Sequence, residues 1–193
     1  MAVYTEVEFA EAASLAASVG IGELVALAPC AGGIENTNYF ADTSDGRYVL
    51  TLFERLTAAE LPFYLGLMKH HADHGLPVPR PHGDASGSLV LALKGKPAAI
   101  VERLPGEHHL APVAADCAAV GDVLARMHLS ARDFAPTQPN LRGLAWWEET
   151  VPVVLPRLEP AQAELMRDEL AYQRRLATTS AYATLPRAAI HAD

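Results

Sequence analysis

The sequence has few cysteines, and it has no segment that reads as an export signal or a membrane anchor. Its two cysteines, Cys30 and Cys117, are far apart, and neither lies in a CxxC pair or in a Cys/His cluster with zinc-binding spacing. Residues 1–6 lack the basic and apolar regions of a signal peptide. The most apolar stretch, 110–129, is interrupted by charged residues and a proline. We therefore expect two reduced thiols and a cytoplasmic location.

Positive charge is also scarce. The 15 lysines and arginines stand against 23 aspartates and glutamates, which gives a formal net charge of -8. An acidic chain is a poor partner for nucleic acid or an anionic membrane, because both attract basic proteins. Hydrophobic residues make up 50% of the chain and charged residues 20%, which is the ordinary balance of a globular protein with a sizeable core.

Strand patterns are concentrated in the first half of the chain. After a predicted helix over 9–19, aromatic and branched residues predict two antiparallel strands at 39–41 and 48–53. Asp45-Gly46 lies between them and is typical of a hairpin turn. A second hairpin is predicted over 89–102, with its turn at residues 94–96.

A helix predicted over 58–74 separates the two hairpins, with Thr57 as its N-cap and Gly75 at its end. Helical patterns dominate after Leu104-Pro105-Gly106. These later helices are predicted over 112–131, 144–155 and 161–176.

This order of elements predicts an α+β protein with two lobes. We expect a β-rich N-terminal lobe over residues 1–103 and a helical lobe over residues 104–193.

The best candidate for a phosphate-binding loop is Gly32-Gly33, followed by Asn36. Glycines allow backbone N–H groups to approach phosphate oxygens closely. The GK[ST] ending of a Walker loop is missing. A Gly-Gly pair in front of a hairpin is also typical of a plain turn, so both interpretations stand.

The strand on which a kinase carries its phosphate-pairing lysine has no lysine here. In the strand over 48–53 that position falls on Thr51. Taken alone, this absence argues against a lysine–glutamate pair of the protein-kinase type. Arg55 is a nearby cation, but its place at the end of a strand is typical of a surface arginine.

His191-Ala192-Asp193 is the sharpest chemical feature, because it follows the apolar run 188–190. An aspartate in such a catalytic loop can accept the proton of a substrate hydroxyl as the hydroxyl attacks a γ-phosphoryl group. His70 and His74, one helical turn apart, have the spacing of two zinc ligands. No HExxH pattern and no third ligand completes such a site, so a polar helix face is the favoured interpretation.

Taken together, these features resemble the aminoglycoside-phosphotransferase and choline-kinase superfamily over nearly the whole chain, and its homoserine kinase branch in particular. The threonine at position 51, where other relatives carry lysine, fits that branch. The segments that carry the resemblance are 3–7, 33–40, 48–55, 60–68, the connector 74–79, and 127–129.

The resemblance implies a protein-kinase-like fold and the transfer of a phosphoryl group from ATP, with Mg²⁺, to the hydroxyl of L-homoserine. It implies that Asp193 is the catalytic base. It further implies that backbone groups of the hinge between the lobes bind the adenine, although the residues alone fit a plain connector equally well. The residues implied at the nucleotide are Gly32, Gly33, Asn36, Thr51, Glu102, Arg103 and Leu104, with Glu60 orienting a phosphate-contacting group.

In the superfamily, the metal-binding asparagine and aspartate follow the catalytic aspartate. Here both would follow residue 193, so no metal ligand is assigned within the chain. Without them the charge on the phosphates is not neutralised. We therefore expect these 193 residues by themselves to have little kinase activity and to leave apolar helix faces exposed.

Two other interpretations remain. A related kinase would phosphorylate an aminoglycoside, choline or another small alcohol. A non-catalytic module of the same fold would bind a nucleotide or a partner and carry out no chemistry.

Overall fold

The computed structural model describes residues 5–30, 35–107 and 109–190, and its main element is one antiparallel sheet. Strand-rich structure in the first half and helices in the second confirm the α+β prediction. The elements are α1 (Phe9–Val19), β1 (Leu24–Pro29), β2 (Asn36–Thr43), β3 (Arg47–Phe53), α2 (Leu61–Asp73), β4 (Pro81–His82), β5 (Leu91–Leu93), β6 (Lys96–Glu102), α3 (Ala114–Ser130), α4 (Leu144–Val154), α5 (Pro160–Ala177) and α6 (Ser180–Ala183).

The strands follow the order β1-β2-β3-β6-β4, and β5 pairs with β6 beside them. Every pair is antiparallel. Two compact units are present. The sheet unit comprises the described residues within Met1–Pro136 and Ala189–Asp193, and the helical unit is Thr137–Ala188. The division into lobes at residue 103 stays a prediction.

Alternation along the strands gives the sheet one fully buried face. On β3, Tyr48, Leu50 and Leu52 are buried, whereas the residues between them are half-buried. Leu50 is 1% exposed and Leu52 is 0% exposed. They belong to a core that includes Ala12 and Ala16 of α1, whose small side chains allow the helix to lie close to the sheet. Removing this apolar surface from water is the main stabilisation of the unit.

The opposite face is covered only in part. There α2 contributes Leu61 and Leu65 to a smaller core with Ala99 of β6, and Phe53 packs against them. Most of the remaining residues on this face of β2 and β3 stay half-buried. This partly open face contains the candidate site described below.

Both predicted hairpins are present. Lys94 and Gly95 have φ values of 53° and 73°, and two positive φ values define the two-residue turn that suits the twist of a hairpin. In the first hairpin the Thr43 N–H donates to the Gly46 carbonyl at 2.8 Å. The strands of that hairpin extend further than the pattern predicted, since β2 begins at Asn36.

The predicted helix ends agree well except at the start of α2. Helix α1 has the predicted bounds, and α3, α4 and α5 lie within two residues of theirs. Helix α2 begins at Leu61 with Glu60 as its N-cap, so Thr57 is not the cap. The Thr57 N–H and hydroxyl donate to the Glu60 carboxylate at 2.8 and 2.7 Å and close a separate turn. Proline in the first turn of α2 then starts the helix.

Some elements were not predicted. Strand β1 has one buried residue, Leu24, and an otherwise exposed pattern that lacks strand alternation. The four-residue helix α6 was also missed, and residues 188–190 are irregular rather than extended into a strand.

Helix α3 has no buried residue, and Val120 and Leu129 are 65% and 54% exposed. This agrees with the expected exposure of apolar helix faces. Among the described helices, none is both long and apolar enough to span a bilayer.

Candidate functional site

An apolar strip crosses the middle of the half-open sheet face. Phe40, Val49 and Val101 are aligned in register on β2, β3 and β6, so their side chains share one face. All three are half-buried, whereas Leu50 and Ile100 on the opposite face are 1% and 2% exposed. A strip three strands wide with no charged member is suited to a flat aromatic ligand.

Arg103, which directly follows β6, lies on the same strip. Its guanidinium carbon is 3.8 Å from the centroid of the Phe40 ring. Its backbone N–H donates to the Arg47 carbonyl at 2.9 Å, which fixes the main chain at this point. No carboxylate of the described residues lies within ion-pair distance of the guanidinium.

A polar row lies next to the apolar strip. The Thr51 hydroxyl donates to the Asn38 side-chain oxygen at 2.7 Å, and both residues are half-buried. Asn36, the first residue of β2, is opposite Phe53 on the same face. The row therefore leads towards the start of β2, which follows the predicted glycine loop in sequence.

No lysine replaces the missing one on this face. The chain has three lysines, and Lys96 is the one that lies on a strand. It is three residues from Ala99, so its side chain points to the opposite face of β6. There it forms an ion pair with Glu54, whose side chain is 12% exposed.

Glu54 is the centre of a polar cluster that sequence reasoning missed. Its carboxylate accepts from the Thr37 hydroxyl at 2.7 Å and from the Thr5 hydroxyl at 2.8 Å, in addition to Lys96. Burial acts to raise the pKa of Glu54, but these hydrogen bonds and the Lys96 charge outweigh it and hold the pKa below its ordinary value. The cluster joins the N-terminal segment to β2, β3 and β6, and no local pattern pointed to it.

The predicted hinge residues differ in whether their backbone N–H groups are available to donate a hydrogen bond to a ligand. The Glu102 N–H donates to the Arg80 carbonyl at 2.9 Å, and the Arg103 N–H is occupied by Arg47. Leu104 is 39% exposed, and its N–H makes no hydrogen bond to another described residue. Of the three, Leu104 is therefore the backbone donor that a ligand would find available.

Several predicted site residues cannot be placed against this face. Gly32, Gly33 and Asp193 lie outside the described residues. The Glu60 carboxylate is exposed and takes part in the local hydrogen bonds with Thr57. The assigned roles of these residues and of Thr51 stay predictions.

The histidines of α2 differ in burial: His70 is half-buried and His74 exposed, whereas His71, which the zinc-spacing pattern did not include, is buried. His71 is 4% exposed, and its Nδ1 is 2.7 Å from the Ser130 hydroxyl oxygen. That hydroxyl donates its proton to the Met127 carbonyl, so it accepts from Nδ1–H of His71. His70 Nε2 lies 2.8 Å from the Ser130 carbonyl, and only His74 is exposed. Ser130, at the end of α3, thus contacts the buried His71 and the half-buried His70.

We expect the free energy of unfolding to fall as the pH is lowered through the range below about 6.5, the ordinary pKa of histidine. Burial, followed by the charges of His70, His74 and His128, lowers the pKa of His71 in the folded protein. The unfolded chain then binds the proton more readily, so stability is present above pH 6.5 and is lost towards the lower folded pKa. Urea unfolding at pH 7.5 and pH 5.5 measures this loss.

The matched variant is His71→Asn, whose side-chain N–H can still donate to Ser130 but does not titrate. It should lose less stability between the two pH values than the wild type. His109→Asn, at an exposed histidine, serves as the control and should follow the wild type. Identical pH profiles for His71→Asn and the wild type would contradict the assignment.

The helical unit contains its own open pocket between the start of α4 and the end of α5. Two of its polar side chains are already engaged, because Arg142 lies over the Trp146 ring and Gln173 donates to Glu169 at 2.6 Å. Among the described residues, no group of three or more histidines, cysteines or carboxylates could hold a metal ion. The half-open sheet face therefore remains the better candidate site.

Comparison with known proteins decides the family. Residues 26–193 match the phosphotransferase enzyme family. The chain belongs to this family. The resemblance drawn from the motif order is thereby confirmed, and with it the kinase-like arrangement of the strands.

Curated relatives of this chain are named homoserine kinase. The one from Polaromonas naphthalenivorans (strain CJ2) is 58% identical over 193 residues, which cover 100% of this chain and 61% of the relative. The one from Paraburkholderia xenovorans (strain LB400) is 50% identical over 193 residues and is covered to 58%. The chain thus spans about three fifths of the length of these relatives.

Solved structures support the kinase-like fold of this chain. A spectinomycin phosphotransferase in complex with ADP and spectinomycin has a TM-score of 0.58 and 16% identity, over 95% of this chain and 60% of that chain. A putative fructosamine-3-kinase from Thermobifida fusca has a TM-score of 0.59 and 18% identity, over 97% of this chain and 67% of that one. At such identities the likeness concerns the fold alone.

Proposed function

We propose that the whole protein is a homoserine kinase, which transfers the γ-phosphoryl group of ATP to the hydroxyl of L-homoserine and yields O-phospho-L-homoserine. The observation that carries the proposal is the 58% identity with a protein named homoserine kinase, across all 193 residues. In this proposal residues 1–193 supply the nucleotide-binding sheet and the catalytic base.

The half-open sheet face has the features that a nucleotide needs. The adenine would lie on the strip formed by Phe40, Val49 and Val101, with the Leu104 N–H as the available hinge donor. The ribose and phosphates would then extend along the polar row that contains Thr51. Backbone N–H groups of a glycine loop bind phosphate oxygens well, which supports the assignment of Gly32 and Gly33.

With threonine at position 51, strand β3 has no ammonium group that could neutralise phosphate charge. Thr51 offers a hydroxyl, already bonded to Asn38, in place of an ammonium group. A related solved structure, an amicoumacin kinase, contains AMP-PNP and Ca²⁺. We propose Mg²⁺ as the ion here, but the described residues do not supply a fitting set of ligands. When bound, such an ion would neutralise charge on the phosphates.

Asp193 is proposed to act on the acceptor. Its carboxylate would accept the proton of the homoserine hydroxyl as the oxygen attacks the γ-phosphorus, and ADP would leave on the opposite side. The His-x-Asp motif at residues 191–193 supports this role.

A chimera tests the proposal directly. Residues 1–193 of this chain would replace the matching part of the Polaromonas homoserine kinase, with the unaltered relative as the control. We expect ADP release that depends on L-homoserine, at a rate within about tenfold of the control. Choline and spectinomycin should not replace L-homoserine. A folded chimera that releases no ADP with L-homoserine, or prefers another alcohol, would refute the proposal.

A further inference from the structure

The Arg103 guanidinium is an unusual cation in this acidic chain. Among the described residues of the sheet unit, four other arginines pair with carboxylates, as Arg47 does with Asp42 and Arg80 with Asp73, whereas Arg132 is exposed to solvent. Arg103 is half-buried and has no carboxylate partner among the described residues. Placing a partly desolvated cation where it has no carboxylate partner costs free energy, so the position of Arg103 calls for an explanation.

The side chain lies across the sheet rather than along it. Arg103 follows β6, whereas Phe40 belongs to β2, and β3 lies between these strands. Because Arg103 lies opposite Arg47 and its guanidinium carbon is 3.8 Å from the centre of the Phe40 ring, the side chain crosses β3. The guanidinium therefore lies on the apolar strip itself.

We propose that Arg103 is a base-binding residue, whose guanidinium plane packs against the face of the purine of the bound nucleotide. This inference rests on the nucleotide-binding part of the proposed function and adds a side chain to the backbone contacts of the hinge. A guanidinium is planar and weakly hydrated, and it stacks readily on aromatic faces. The guanidinium carbon already lies over the Phe40 ring, 3.8 Å from its centroid, and a purine offers a similar aromatic face.

The position of the Arg103 guanidinium along the strands favours contact with the base of the nucleotide rather than with its phosphates. Phe40 lies four residues from Asn36, which is about 13 Å of strand, and the predicted phosphate loop precedes Asn36. The guanidinium, which lies over Phe40, is thus well away from the start of β2 at Asn36. A role in phosphate binding would require the opposite placement.

Titration of the 193-residue chain with ADP and with tripolyphosphate separates these roles, because tripolyphosphate has no base. Arg103→Met removes the guanidinium but keeps a long apolar stem, and Arg103→Lys keeps the charge but not the plane. We expect both variants to bind ADP about five- to tenfold more weakly than the wild type, with tripolyphosphate affinity unchanged. Arg126→Met, at an exposed arginine of α3, is the matched control and should bind ADP normally.

Three results would overturn the inference. The first is an unchanged affinity of Arg103→Met for ADP. The second is a loss of tripolyphosphate affinity equal to the loss of ADP affinity, and the third is a wild-type chain that does not bind ADP. If a variant fails to unfold cooperatively, the same substitution is made in the chimera. There we expect a raised KM for ATP with kcat unchanged, and an unchanged KM for ATP would overturn the inference. Arg103-dependent ADP binding without homoserine-dependent transfer would refute the proposed function and leave this inference standing.

Discussion

Replacing Asp193 by asparagine in the chimera should lower kcat for L-homoserine by about 10²- to 10⁴-fold, the usual contribution of a general base. Asparagine has nearly the same shape as aspartate, but its amide cannot accept the proton of the attacking hydroxyl. The loss should therefore appear in kcat, whereas the KM for ATP should stay close to that of the unsubstituted chimera. Steady-state ADP release at saturating L-homoserine measures the effect.

The control for this substitution is Asp168→Asn, at an exposed aspartate of α5. It makes the same chemical change away from the sheet face and should keep the activity of the chimera within about twofold. A loss of less than about tenfold in Asp193→Asn would show that another group accepts the proton. The catalytic role assigned to the His-x-Asp motif would then be wrong.

Replacing Leu52 by alanine should lower the free energy of unfolding of the chain by about 3 kcal/mol, within the range of about 2–5 kcal/mol for buried leucines. Leu52 is 0% exposed and packs in the core that joins β3 to α1. Truncation removes apolar contacts and leaves a cavity, since strands on both sides hold the backbone in place. Urea unfolding followed by circular dichroism measures the change.

Leu165→Ala makes the same chemical change on α5, where the leucine is 68% exposed, and it should cost less than about 0.5 kcal/mol. The two variants therefore differ in burial rather than in side-chain chemistry. A similar loss in both, or a loss below about 1 kcal/mol for Leu52→Ala, would show that the buried face of β3 is not the core of the sheet unit.

Local sequence patterns predicted most of the elements. The turn at Lys94-Gly95 requires two positive φ values, a backbone conformation that few residues adopt, so its position could be predicted without tertiary information. Gly20 likewise ends α1 in the left-handed conformation, with φ 70°. Helices with regular apolar spacing were predicted closely for the same reason.

Local sequence patterns failed to predict those features of the fold that depend on contacts between distant parts of the chain. Strand β1 is formed through its pairing with β2, not through the alternation of its own side chains. The start of α2 depends on the bonds between Thr57 and Glu60, which compete with a cap at Thr57. His71 is buried because Ser130, far along the chain, packs against it.

The candidate site could be predicted in part. The register of the first hairpin explains why Thr51 and Asn38 meet, whereas the assignment of Thr51 to the lysine position of kinases stays a prediction. In contrast, the contact of Arg103 with Phe40 joins β2 to the end of β6. No spacing within the sequence specifies that contact, so it emerges only from the folded sheet.

The cluster around Glu54 has a practical consequence for handling the protein. Thr5 donates its hydroxyl to Glu54 and its backbone N–H to Thr37, so the segment before α1 is fastened to the sheet at the start of β2. An affinity tag joined close to Thr5, or protease cleavage between Thr5 and Phe9, would break these hydrogen bonds or free the segment that makes them. The resulting damage would reach the start of β2, near which the phosphates are proposed to bind. A tag at the N-terminus should therefore be removed, or carried on a long spacer, before ADP affinities are compared.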